Sequence, residues 1–226
     1  MDAIVSHKEK VFEEATVDTN SVVVTKTRAT TKTLVRTLTQ RATETLHDNL
    51  ILQSSLASRD FVNTEMVEED YALVRRMEAC STPLSAVADV KNGVKPYEVG
   101  KGIPKQTKEI LAEKPFTSVT KPDHTFVPLI GGSSFHRYQL RWEQDFWIKY
   151  GPHLAAPRDR EIFDAREKLI FRQTGDSLIG THISSGYIMR DNTHIVLPRA
   201  DVETNLMFVL GVMNSLAANY YYWSIN

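Results

Sequence analysis

Apolar and polar positions follow two textures along this chain, and the change between them falls near Cys80–Pro83. In the first texture, Ser21-Val22-Val23-Val24-Thr25-Lys26 is dominated by β-branched side chains and predicts a buried strand. The threonine-rich stretch from Thr27 to Thr39 alternates around Leu34, Arg36 and Leu38 and predicts another. Asp2–Ala15 sets Ile4, Val11, Phe12 and Ala15 among charges, the pattern of a short amphipathic helix or a loop. Ser58–Asn63 reads as a loop. Thr64 is placed to N-cap a helix whose apolar face is Val67, Tyr71, Val74 and Met77, ending before Ser81-Thr82-Pro83.

From Pro83 onward the pattern is short strands and turns. Leu84–Val90 reads as a short strand or turn entering Asn92-Gly93, a turn signal. Residues 93–122, rich in glycine and proline, predict a long basic loop or a set of short strands. Trp142, Phe146, Trp147 and Tyr150 have the spacing of one helix face, and as such are core rather than base-stacking residues. Lys168–Arg172, Leu178–Ile183, Gly186–Met189 and His194–Leu197 predict four short strands. Val202–Tyr222 predicts a single helix with Leu206, Leu210, Met213, Ala217 and Tyr220 on one face. The expected fold class is mixed α/β (α+β), with two domains, 1–80 and 81–226.

Composition narrows the function classes. A hydrophobic share of 42% and a charged share of 24% are ordinary for a globular chain of 226 residues. One cysteine, Cys80, excludes an internal disulfide framework and a cysteine-based zinc site, and fits a reducing cytoplasm. No signal-peptide pattern opens the chain, and the most apolar stretch, Leu206–Ala218, is too short to span a bilayer, so no membrane role is expected. The net charge of −1 argues against an indiscriminate nucleic-acid binder, but the charge is segregated. Lys26, Arg28, Lys32, Arg36 and Arg41 occur without an acid between Ser21 and Thr43. Lys91, Lys95, Lys101, Lys105 and Lys108 face only Glu98.

Self-contained catalysis finds little support. No phosphate-cradling glycine loop, His-Glu-x-x-His pair or nucleophile elbow is present. Asp159, Glu161, Asp164, Glu167 and Lys168 crowd together without a nuclease spacing and read as an exposed charged helix turn. No metal or cofactor is expected in this chain.

A series of phrases then carries a resemblance. Pro83-Leu84-Ser85-Ala86-Val87-Ala88-Asp89-Val90-Lys91-Asn92-Gly93-Val94 leads into the basic Lys95-Pro96-Tyr97-Glu98-Val99-Gly100-Lys101-Gly102-Ile103-Pro104-Lys105-Gln106-Thr107. Pro128-Leu129-Ile130-Gly131-Gly132-Ser133-Ser134-Phe135-His136-Arg137-Tyr138, Trp142 through Gly151, and Lys168-Leu169-Ile170-Phe171-Arg172-Gln173-Thr174-Gly175 follow. Leu210-Gly211-Val212-Met213-Asn214-Ser215 with Tyr220-Tyr221-Tyr222 closes the set. In this order they resemble the target-recognition (specificity) domain of Taq-type adenine-N6 DNA methyltransferases and single-chain restriction–modification enzymes. Val11–Val24 is similar to the last strands of the catalytic domain in those bacterial enzymes. The resemblance implies a remnant of methylase-domain strands, then a β-rich recognition domain with a C-terminal helix. It implies sequence-specific recognition of double-stranded DNA, with a methyltransferase, and in some relatives an endonuclease, as domain or subunit partner. S-adenosylmethionine is expected in the parent enzyme only: this chain has neither the cofactor glycine motif nor an Asn-Pro-Pro motif for a flipped adenine, so it should neither methylate DNA nor bind that cofactor.

Lysines on a glycine-relieved loop neutralise phosphates without sequence choice, whereas Arg, Gln or Asn at base edges supply the choice. The candidate DNA-binding residues are therefore Lys95, Tyr97, Lys101, Lys105, Arg137, Arg141, Arg172, Gln173 and Thr174, with Arg190 next in line. Competing structural roles are an acid partner for Arg172, turn capping for Gln173, and a core position for Tyr138. Two other classes stay open: an adaptor or specificity subunit that contacts DNA only within an assembly, and an unrelated enzyme with an unread site.

Overall fold

The computed structural model describes residues 1–9, 19–57 and 62–225. The chain is mixed α+β and divides into two units, residues 1–81 with 220–226, and residues 82–219.

The first unit is a four-stranded sheet with two helices after it in sequence. Strands β1 (Ala3–His7), β2 (Thr19–Val23), β3 (Leu34–Arg41) and β4 (Glu44–Leu52) lie in the order β2-β1-β3-β4, with β1 and β3 parallel and the other pairs antiparallel. Helices α1 (Gln53–Leu56) and α2 (Glu68–Ala79) follow. Ile4, Val35, Ile51, Met66, Tyr71 and Val74 form the core. Residues 1–9 therefore correct the expectation of a helix or loop: Ala3–His7 is a strand, because backbone pairing on both sides outweighs its helical spacing. The remainder of that expected segment, like most of Ser58–Asn63, lies outside the described residues. Val22, Val23 and Val24 are exposed rather than buried, since β2 is an edge strand. The helix begins at Glu68, not after Thr64. The Asp70 carboxylate accepts the Val67 N–H at 2.9 Å, while Thr64 is buried with its hydroxyl 2.8 Å from that of Thr39.

The second unit stacks two sheets around a common core. Strands β5 (Ala88–Asn92), β6 (Thr117–Ser118), β7 (Phe126–Ile130), β8 (Phe135–His136), β9 (Gln139–Leu140) and β10 (Trp147–Lys149) precede β11 (Glu167–Arg172), β12 (Gly180–Ser184), β13 (Ile188–Met189) and β14 (Thr193–Pro198). One sheet is β12-β11-β14-β5, antiparallel throughout; another is β13-β7-β10-β6; β8 and β9 form a separate hairpin. Short helices α3 (Lys108–Glu113) and α4 (Arg160–Asp164) sit in the connections, and α5 (Leu206–Asn214) and α6 (Leu216–Ile225) close the chain. Strand β11 is buried on both faces. Ile170 packs into the core shared with Leu129, Ile148, Ile188 and Ile195, while Leu169 and Phe171 pack with Leu206 and Leu210 of α5. Period-2 alternation places these residues on opposite faces.

Three expectations are corrected here. Residues 142–150 are not a helix. Gln144 takes a left-handed φ of 60°, and Trp142 meets Trp147 edge-on at 5.1 Å, so the helix-like spacing serves a loop that feeds β10. Val202–Tyr222 is not one helix. It breaks at Ser215, which is extended and whose hydroxyl accepts the Ala218 N–H, starting α6 as a new N-cap. Lys168 does not belong to an exposed charged turn; it is fully buried in β11.

Candidate nucleic-acid interface

Three loops of the second unit converge on one turn, Arg190–Thr193, between β13 and β14. The first is the root of the basic loop: Val94 N–H donates to the Met189 carbonyl at 2.7 Å, and Asp191 N–H to that of Val94 at 2.8 Å. Gly93 lies so close that a Cβ there would stand 2.1 Å from the Arg190 carbonyl oxygen. The second is the Gly131-Gly132 turn, where Gly132 N–H donates to Asn192 Oδ1 at 3.2 Å and Arg190 N–H to the Ile130 carbonyl at 2.8 Å. The third is the end of β11, where Gln173 N–H donates to the Asn192 carbonyl at 3.1 Å. Thr193 closes the turn through its hydroxyl, which donates to the Arg190 carbonyl at 2.7 Å.

Several cationic or amide side chains stand on or beside this convergence. Arg172 is half-buried: its Nη2 donates to the Phe135 carbonyl at 2.6 Å, its guanidinium lies 5.8 Å from the Phe135 ring, and its buried Nε–H has no partner among the described residues. It thus holds backbone, not an acid. Gln173 and Thr174 are exposed, and Gln173 engages the turn through its backbone N–H. Arg190 is exposed beside Asp191 at 3.5 Å and lies over the Phe146 ring. Arg158 donates from Nε to the Gly93 carbonyl at 3.2 Å.

The basic loop is built, not loose. Gln106 is buried at its centre; its Oε1 accepts Glu98 N–H at 2.9 Å and its Nε2 donates to the Pro96 and His153 carbonyls, each at 2.8 Å. Tyr97 belongs to this framework. Its ring stacks on Phe116 at 5.6 Å and its hydroxyl accepts the Phe116 N–H at 2.7 Å. Lys95 is 2.8 Å from Glu98, which raises the lysine pKa and lowers that of the carboxylate through their hydrogen bond. Lys101 and Lys105 point outward, exposed and without an ion pair among the described residues. Arg137 sits in the turn of the β8–β9 hairpin and Arg141 just past its second strand. Arg137 donates to the Leu178 carbonyl and to Asn219 Oδ1, and Arg141 Nε to Gln139 Oε1 at 3.1 Å.

Of the sequence-derived candidates, Arg172 and Gln173 thus stand at the convergence itself, Lys101 and Lys105 on the loop rooted in it, Arg137 on the neighbouring hairpin and Arg141 just past it. Residues 127–226 match the family model of the TaqI-like C-terminal specificity domain. The resemblance read from the sequence is borne out for that stretch, which contains the Gly-Gly turn, the hairpin, Arg172-Gln173 and the Arg190–Thr193 turn. The basic loop lies N-terminal to the matched residues, yet its root is hydrogen-bonded to Met189 and Asp191 within the matched stretch. No curated protein matches the chain. Sequence reasoning missed Asn192 and Arg158. Asn192 sits in an Asp-Asn turn whose composition marks a turn, but its links to Gly132 and Gln173 span long sequence separations. Among the described residues no group of histidine, cysteine or acidic side chains could hold a metal ion, and no helix is long and apolar enough to cross a membrane.

Proposed function

We propose that this chain recognises double-stranded DNA in a sequence-dependent way, as the specificity part of an adenine-N6 DNA methyltransferase or restriction–modification enzyme, without catalysis of its own. The observation that carries this reading is the convergence of the basic loop, the Gly-Gly turn and the end of β11 on Arg190–Thr193, largely inside the matched specificity domain. Lys101 and Lys105 supply phosphate contacts, which add affinity without choice. Gln173, Arg190 and the half-buried Arg172 supply base contacts from a rigid mount. Lys95 and Tyr97 shape the loop. S-adenosylmethionine belongs to the parent's catalytic half. The first glycine of this chain is Gly93, so residues 1–92 offer no glycine turn against which that cofactor could lie.

One observation favours a protein partner as well. Phe208 and Val212, one turn apart on α5, are 70% and 47% exposed. Such an apolar pair suits an adaptor whose DNA contact is completed in an assembly.

The test joins the chain to a methylase half and measures methylation across a randomised duplex library. Lys101→Ala with Lys105→Ala should weaken all sites alike and flatten the salt dependence by about one unit per lysine. Gln173→Ala should relax preference at one position, by about 1–3 kcal/mol. Equal, sequence-independent losses from both variants would overturn the assignment of readout to this turn.

A further inference from the structure

The tip of the β8–β9 hairpin holds an aromatic side chain that the fold does not use. Arg137 and Tyr138 alone connect the paired residues His136 and Gln139. Tyr138 stands at a φ of 66°, while Arg137 is not in the positive-φ region. A two-residue turn with only its second position left-handed favours glycine or asparagine there. In a tyrosine the Cβ crowds the following carbonyl. Packing recovers little of this: Tyr138 is 60% exposed, contrary to a core position.

The mount beneath it is firm. Tyr138 N–H donates to the Gly180 carbonyl at 3.0 Å. Asn214, buried at the end of α5, clamps the same residue, donating to the Gly180 carbonyl and accepting its N–H, both at 2.9 Å. Gly180 cannot carry a side chain, since a Cβ would stand 2.2 Å from the Phe171 ring. Phe135, at the base of the hairpin, is fully buried. Arg137 is tied to Leu178 and Asn219, and the exposed Arg141 lies just past the hairpin. A strained, solvent-facing aromatic on a rigid support, with cations beside it, has the form of a ligand contact rather than a folding element.

We propose that Tyr138 is a specificity-determining residue: the hairpin carries its ring into a groove of the duplex, where the ring lies against base edges. Arg141 serves the adjacent phosphates. This rests on the DNA-recognition reading above and adds to it a contact outside the Arg190–Thr193 turn. Aromatic and other apolar side chains are known readers of base edges and groove steps.

The experiment compares the full chain with Tyr138→Gly and Tyr138→Phe, measuring melting temperature and binding to randomised and selected duplexes at low ionic strength. Tyr138→Gly should melt at the same temperature or up to about 4 °C higher, because the left-handed position is relieved. It should bind the preferred duplex about tenfold more weakly and with flatter sequence preference. Tyr138→Phe should keep both properties. Unchanged binding by the glycine variant would overturn the contact, as would a melting temperature several degrees lower, which would make Tyr138 a structural residue. Absence of duplex binding by the unaltered chain would instead overturn the DNA-recognition reading, and this contact with it.

Discussion

Replacing Lys168 by methionine is expected to destabilise the second unit by about 3–5 kcal/mol, although a methionine in a buried strand is normally well tolerated. The Lys168 side chain is fully buried, and its Nζ donates to the carbonyls of Phe163 and Ala165 at 2.8 Å and of Ser184 at 3.0 Å. Three acceptors match the three N–H donors of an ammonium group. Methionine removes all three donors at once, and each orphaned carbonyl costs about 1–3 kcal/mol unless water reaches it. Burial pulls the Lys168 pKa from its ordinary 10.5 down to about 8, with the Asp164 carboxylate acting in the opposite direction. Between those two values the unfolded chain binds more protons than the folded one. The contribution of this group to stability therefore rises with pH across that window. Denaturant unfolding measures the loss, and melting temperatures from pH 7.5 to 10 should show the gap between unaltered chain and variant widening as pH rises. A loss under 1 kcal/mol would show that the carbonyl cage contributes little to stability, and a gap that narrows as pH rises would show that the cage holds the ammonium above its ordinary pKa, against the lowering by burial.

Gly93→Ala is expected to have the second large effect, and it reaches the site as well as the fold. The added Cβ would meet the Arg190 carbonyl oxygen at 2.1 Å and that of Met189 at 2.4 Å. Both are backbone atoms, fixed by the hydrogen bonds of Val94 and Asp191 across the same junction. Relief requires those bonds to lengthen, at about 1–3 kcal/mol. The shift displaces Arg190 and Asn192, and with Asn192 the anchor of Gly132 and Gln173. Affinity for DNA should fall roughly tenfold or more while the unit remains folded. Gly211→Ala is the matched control. A Cβ there meets nothing within 4 Å inside α5, so stability should hold or rise. Wild-type affinity in the Gly93→Ala variant would disconnect the turn from binding.

Much of the second unit is legible in the sequence because its strands are short apolar, β-branched runs bounded by turn residues. Lys168–Arg172, Leu178–Ile183 and His194–Leu197 fall on β11, β12 and β14 within two residues. The misreadings have local causes. Apolar residues at 142, 146, 147 and 150 mimic a helix face, yet the two indole N–H groups donate to the Phe146 and Gln144 carbonyls and hold an irregular loop. Strand β4 went unread because His47-Asp48-Asn49 disfavours strand, whereas pairing along β3 and the Arg36–Asp48 ion pair at 2.6 Å support it. The break before α6 follows from Asn214, whose side chain serves Gly180 instead of continuing an apolar stripe.

The site divides in the same way. Arg172-Gln173 before Gly175 is readable, because polar groups at a strand end have a recognisable setting. The convergence on Arg190–Thr193 is not, because it depends on hydrogen bonds from the backbone of residues 93, 132 and 173 to Asn192 and Thr193, far apart in the chain. Tyr97 and Lys95 illustrate the reverse. Their residue types invite a ligand, but Phe116 and Glu98 engage them first.

Selection from a randomised duplex pool by the isolated chain tests DNA recognition most directly. Successive rounds at low ionic strength should enrich one short sequence pattern, and binding to it should weaken steeply and linearly in log–log form as salt rises. Replacing Gln173 and Arg190 by Ala should erase the pattern and leave the salt dependence largely in place. A pool that stays random through selection, or binding indifferent to salt, would contradict it.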